Sequence, residues 1–274
     1  MIKFILNKIM NQRKIVVSDP KVNIIYTPTT LVLVDDHKNF LETTRLELSE
    51  IAPCSIFDKP TKALSFLKNR SEKNNLSKRL QQFSNIKNIN TLHEEIYNPK
   101  RFNVISLVIA DHAMPGMTGL ELFLQLKNNP VRKLLLTGAV SYAQAIKARQ
   151  DGIIDSFIMK DDIKLVHKLK LAIQALTSQY FSKKTEALLL QDKNNDVTKK
   201  LIKLLADKKF VDQFHQIIDE HQIVEYYLLD EYGSFLFLDK KANPFWHMNN
   251  GRSPSEFKLE KENILSFEKY MENI

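Results

Sequence analysis

The stretch Val108-Ile109-Ala110-Asp111-His112-Ala113-Met114-Pro115-Gly116-Met117-Thr118-Gly119 changes character twice within a few residues. It closes an apolar run (Val104, Ile105, Leu107, Val108, Ile109) rich in β-branched residues, the composition of a strand covered on both faces. Pro115 and Gly116 then break the chain, and Leu120, Leu122, Phe123, Leu124 and Leu126 follow in a segment of helical length. Asp111 is thereby placed at the carboxyl end of a buried strand. In an open parallel sheet, that is the edge where ligands bind.

Working outward, three more apolar runs end in polar groups. Leu31-Val32-Leu33-Val34 ends in Asp35-Asp36, Lys133-Leu134-Leu135-Leu136 ends in Thr137-Gly138, and Ile153, Ile154, Phe157, Ile158 and Met159 lead to Lys160. Each run is followed by a helical pattern, so strands and helices alternate and a parallel sheet is expected. Right-handed crossovers bring all the carboxyl ends to one edge. That edge then carries three carboxylates, a hydroxyl and an ammonium. Crowded carboxylates repel one another unless a hard divalent cation joins them, and Mg²⁺ suits a few carboxylates with water and phosphate oxygens. With a cation and Lys160 absorbing charge, Asp111 is equipped to attack a phosphoryl group and form an aspartyl phosphate.

In these residues the chain resembles the receiver domain of bacterial two-component response regulators. That signature is an acidic pair after the first strand, an Asp after the third, a Thr or Ser after the fourth and a Lys after the fifth. The resemblance implies a flavodoxin-like, doubly wound, five-stranded parallel sheet and a phosphoprotein that works in signal transduction. It implies Asp111 as phospho-acceptor and Mg²⁺ as cofactor, held by Asp35, Asp36, Asp111 and the main-chain carbonyl of Ala113. Of the acidic pair, the resemblance favours Asp36 over Asp35 as the direct ligand. Thr137 and Lys160 match the groups that meet the phosphoryl oxygens, and Phe157 falls at the aromatic switch position. The implied partner is a histidine kinase or phosphotransfer protein carrying a phosphohistidine.

Two spacings depart from this pattern. Asp36 and Asp111 are 75 residues apart, more than a helix, a strand, a helix and a strand require. The excess is assigned to a polar, Asn- and Lys-rich insertion at about residues 68–103, on the helical face of the sheet. Lys160 is followed by Asp161, where the family usually has proline. The expected organisation is an extension over residues 1–29, a receiver over 30–179 and a smaller α+β output module of unknown type over 180–274.

Charge narrows what that module does. The chain carries +8 overall, yet residues 161–274 hold 17 basic and 18 acidic side chains, a balance of −1. Nucleic-acid binding needs a basic patch on the binding module, so a DNA-binding transcriptional regulator is the disfavoured alternative. A protein target or a second copy of the chain is the expected partner. No enzymatic output is expected: there is no Gly-Gly-Asp/Glu-Glu-Phe run, no phosphodiesterase His-Asp pair and no phosphate-cradling glycine loop among six glycines. Cys54 is the sole cysteine, no apolar run has membrane-spanning length and no secretory signal is evident, so a cytoplasmic protein without membrane contact is expected.

In the C-terminal region, Leu201 to Leu205 and Phe210 to Ile218 have helical periodicity. Ile223–Leu229 and Ser234–Leu238 read as strands joined by Asp230-Glu231-Tyr232-Gly233, with a third strand opening at Pro244. A closing helix is expected over about residues 260–271.

Overall fold

A computed structural model gives the coordinates. It describes residues 20–73, 103–138, 141–241, 243–247 and 259–260. The described residues fall into two compact units. One comprises 29–73, 103–138 and 141–180; the other comprises 20–28, 181–241, 243–247 and 259–260. The division lies between Tyr180 and Phe181.

The chain enters with β1 (Ile25–Tyr26), which belongs to the second unit. The first unit then alternates strand and helix: β2 (Thr30–Val34), α1 (Lys38–Leu48), β3 (Cys54–Phe57), α2 (Pro60–Lys73), β4 (Ile105–Asp111), α3 (Gly119–Gln125), β5 (Arg132–Thr137), α4 (Tyr142–Gln150) and β6 (Ser156–Met159), followed by α5 (Leu165–Leu189), whose residues up to Tyr180 belong to this unit and the rest to the second. The strands form a fully parallel sheet in the order β3-β2-β4-β5-β6. This is the doubly wound, flavodoxin-like arrangement expected from the sequence.

Period two along the strands sorts the core into two layers. Val32, Val34, Val108, Ala110 and Leu135 pack on one face with Ala63 and Leu67 of α2, Leu122 and Phe123 of α3, and Ala145 and Ala148 of α4. Leu31, Leu33, Leu107, Ile109, Leu134 and Leu136 pack on the other with Leu41 and Leu48 of α1 and Leu169, Ile173 and Leu176 of α5. Burial on both faces explains why these strands read as continuous apolar runs. Residues 68–73 of the 68–103 insertion extend α2 to Lys73, and residues 74–102 lie outside the described residues.

The second unit is α+β. Helices α6 (Asp196–Leu205) and α7 (Lys208–Glu220) accompany an antiparallel sheet ordered β1-β7-β8-β9-β10, with β7 at Ile223–Leu228, β8 at Phe235–Asp239, β9 at Pro244–His247 and β10 at Leu259–Glu260. Asn195 caps α6 by accepting from Val197 N (2.9 Å), and Asp207 caps α7 by accepting from Phe210 N (3.0 Å). The β7–β8 turn is held by Asp230 Oδ1, which accepts from Tyr232 N and Ser234 N at 2.9 Å each, and Gly233 adopts φ +86°. Phe214 is the centre of the aromatic core, with ring centroids 4.8 Å from Phe235 and 5.0 Å from Tyr226 in edge-on contacts.

Within residues 1–29, the N-terminal extension, Ile25 and Tyr26 pair with Tyr227 and Tyr226 at one side of the second sheet. A two-residue strand has too short a pattern to be read before its partner is known. Glu260, expected to begin the closing helix, pairs with Trp246 in β10, and the remainder of that helix lies outside the described residues.

Candidate functional site

Strand order decides which side chains meet. From β2 the chain passes outward to β3 and then crosses back to β4 on the other side of β2. The carboxyl ends of β2 and β4 therefore flank a topological switch point, where loops diverge and leave a crevice. Val34 pairs with Ala110, so Asp35 and Asp111 follow at adjacent positions of that edge. Asp111 pairs with Leu136, and Thr137 with Met159, which places Thr137 and Lys160 next along it.

Asp35 and Asp111 are buried, 1% and 5% exposed, and both face Lys160. Lys160 Nζ donates to Asp35 Oδ2 at 2.6 Å and stands 3.3 Å from Asp111 Oδ1. The same ammonium lies 4.6 Å from the centroid of the Phe40 ring, which covers it with a π face. Burial pushes the Asp111 carboxyl above the ordinary aspartate value. Lys160 opposes this, Asp35 adds to it, and the net direction is upward. Thr137 is fully buried, its Oγ1 donating to Gly138 O at 3.2 Å, while Lys160 N donates to Thr137 O at 2.9 Å and fixes the loop after β6. The peptide bonds of the described residues are all trans, including the one between Lys160 and Asp161.

The acidic pair is organised by its neighbour. Asp35 Oδ1 accepts from His37 N at 2.9 Å, and His37 Nδ1 lies 3.3 Å from both Asp35 Oδ1 and Asp36 Oδ1. Asp36 Oδ1 is buried without a hydrogen-bond partner, since His37 Nδ1 does not meet hydrogen-bond geometry there. An orphaned carboxylate oxygen beside two buried acids is an environment a divalent cation satisfies. The residues present thus fit the Mg²⁺ implied by the sequence resemblance.

Behind the site, the loop from Asp111 to α3 is tightly built. His112 N donates to Leu136 O at 2.8 Å, and Gly119 N donates to His112 O at 3.0 Å. Gly116 takes φ +80° in the turn, a conformation glycine adopts without strain. Thr118 and Glu121 form a capping box: Thr118 Oγ1 accepts from Glu121 N (3.2 Å) and Glu121 Oε2 accepts from Thr118 N (2.7 Å). Gly119 is needed for close approach, because a Cβ there would lie 2.3 Å from the Asp111 carbonyl oxygen. Ala113 lies in this loop, two residues beyond the end of β4.

Phe157 is not part of the charged cluster. From β6 it pairs with Leu135 of β5, is half-buried against the core, and meets the exposed Tyr142 ring edge-on at 5.5 Å. His37, Phe40, Gly119 and Tyr142 join the predicted residues around the site and its flank. Of these only Gly119 carried a sequence signal, as the last residue of the Met-Pro-Gly-Met-Thr-Gly turn.

The structure is similar to that of the response regulator LqsR of Legionella pneumophila, with 33% identity over 83% of this chain and 67% of that one, at a TM-score of 0.67. The chain belongs to the response regulators. Its first unit is a receiver domain. Weaker overlays are found with an adenylate cyclase from Rhodopirellula baltica (21% identity, 60% of this chain, 98% of that one, TM-score 0.45) and a CheY-like receiver domain protein from Methanospirillum hungatei JF-1 (18%, 57%, 99%, TM-score 0.41). No family model and no curated protein matches this response regulator. Among its described residues, no helix is long and apolar enough to cross a membrane.

Proposed function

We propose that this response regulator is the receiving partner of a two-component phosphorelay, accepting a phosphoryl group on Asp111 from a phosphohistidine of a histidine kinase or phosphotransfer protein. The observation that carries this reading is the position of Lys160 Nζ, 2.6 Å from Asp35 Oδ2 and 3.3 Å from Asp111 Oδ1, at the switch point of the sheet.

In the proposed transfer an Asp111 carboxylate oxygen attacks phosphorus. The bond from phosphorus to the donor imidazole nitrogen breaks, and the leaving nitrogen keeps the electron pair. Asp35, Asp36, Asp111 and the Ala113 carbonyl would hold Mg²⁺, which when bound supplies compact positive charge beside the phosphoryl oxygens. Lys160 supplies the second positive charge, already oriented by Asp35.

The product adds about −1.5 to −2 charge and three acceptor oxygens. Lys160 then has a stronger partner than Asp35 alone, and the Thr137 hydroxyl gains one better than the neighbouring Gly138 carbonyl. These contacts exist only in the modified state, so they shift a pre-existing equilibrium. Phe157, edge-on to Tyr142, would carry the shift to α4 and the surface. The C-terminal module is read as acting through protein contact, with a balance of −1 over residues 161–274 weighing against DNA. The test is incorporation of phosphoryl from acetyl phosphate with Mg²⁺. Wild type should take up one group, and Asp111→Asn should take up none.

A further inference from the structure

Phe40 lies in the first turn of α1. Its ring is half-buried against the layer that holds Leu31, Leu33 and Leu41, and Lys160 Nζ stands over it, 4.6 Å from the centroid. An aliphatic side chain at this place would only fill space. An aromatic face also attracts the ammonium, because the ring quadrupole puts negative charge toward it. Among the described residues, Lys160 Nζ is thus engaged by the Asp35 carboxylate at 2.6 Å, the Asp111 carboxylate at 3.3 Å and this ring.

Both carboxylates change during the proposed transfer. Asp111 becomes an acyl phosphate, and the phosphoryl oxygens compete with Asp35 for the ammonium. The ring is unaltered by either event. A lysine stem is long and flexible and its ammonium is strongly hydrated, and 23% of the Lys160 side chain already meets solvent. An ammonium loosened from Asp35 would turn toward water unless something held it. We infer that Phe40 is a positioning residue for phosphoryl transfer to Asp111. Its ring face keeps the Lys160 ammonium beside the acceptor while that ammonium exchanges Asp35 for a phosphoryl oxygen. No bond forms or breaks at the ring. This rests on the acceptor role proposed for Asp111 and adds to it the group that controls Lys160.

The experiment replaces Phe40 in the full chain by mono-, di- and trifluorinated phenylalanine, each with Lys160 and with Lys160→Met. Fluorine drains the π face step by step while the ring keeps nearly the same size, so core packing is preserved. Phosphoryl uptake from acetyl phosphate with MgCl₂ is followed by intact mass. With Lys160 present the rate should fall with each fluorine, to about one-fifth in the trifluorinated chain. With Lys160→Met the series should be flat. Phe40→Tyr, which keeps an aromatic face, should stay within about twofold of wild type. A second readout needs no phosphoryl donor. In urea, trifluorination should lower the folding equilibrium constant about threefold more with Lys160 than with Lys160→Met. A flat rate series with Lys160, an equal slope with Lys160→Met, or no coupling in urea overturns the inference and leaves Asp111 as acceptor. No uptake by wild type, or equal uptake by Asp111→Asn, overturns the acceptor reading and the inference with it.

Discussion

Lys160 joins its ammonium to the Asp35 carboxylate at 2.6 Å, although β6 and β2, the strands that precede them, are separated in the sheet by β4 and β5. Neighbouring strands lie about 4.8 Å apart, so the lysine reaches across the ends of two strands, and the same ammonium stands 3.3 Å from Asp111 Oδ1. Asp35, Asp111 and Lys160 thus form one charge cluster at this edge of the sheet.

Asp111 is held in the folded chain with a raised pKa, chiefly by burial. Between the ordinary carboxylate value and that raised value the folded state binds more protons than the unfolded one. Stability from this group is therefore present at low pH and is lost as pH rises through the window. Asp111→Asn removes the buried charge and should melt higher than wild type near neutral pH without divalent cation. The advantage should shrink as pH falls toward about 4, where the unfolded carboxyl also protonates. Thermal melts of both proteins across pH check the sign.

Removing the bridge should have the opposite effect. Lys160→Met leaves Asp35 and Asp111 facing each other without their shared cation. A loss of about 1–3 kcal/mol is expected, since breaking a partly buried pair leaves uncompensated charge. Added Mg²⁺ should recover more stability in the variant than it adds to wild type. Urea unfolding with and without MgCl₂ measures both.

Gly119 gives a test of the loop. At an exposed helix position, replacing glycine by alanine is usually favourable by about 1 kcal/mol. Here the new Cβ would meet the Asp111 carbonyl at 2.3 Å. Gly119→Ala should instead destabilise by about 1–3 kcal/mol and slow phosphoryl uptake. At Gly138 a Cβ meets nothing within 4 Å, so Gly138→Ala should change stability by no more than about 0.5 kcal/mol. Paired denaturation curves decide it.

The receiver was legible because its chemistry lies where apolar runs stop. Strands buried on both faces leave continuous Val, Ile and Leu, and Asp35, Asp111, Thr137 and Lys160 end those runs. The β7–β8 hairpin was legible for a similar reason, since Asp230 and Gly233 carry the turn. Phe40 and His37 were not. An aromatic residue in the first turn of a helix looks like core, and only the path of Lys160 across the sheet reveals the ring beneath its ammonium. The second sheet was legible in part, because Ile25–Tyr26 pairs with a strand some two hundred residues away and carries no pattern of its own.

The most direct measurement is the mass of the intact chain after incubation with acetyl phosphate and MgCl₂, for wild type, Asp111→Asn and Lys160→Met. The account predicts one phosphoryl group on wild type, none on Asp111→Asn and slower uptake by Lys160→Met. A phosphoryl group on Asp111→Asn to the same extent as on wild type would contradict it.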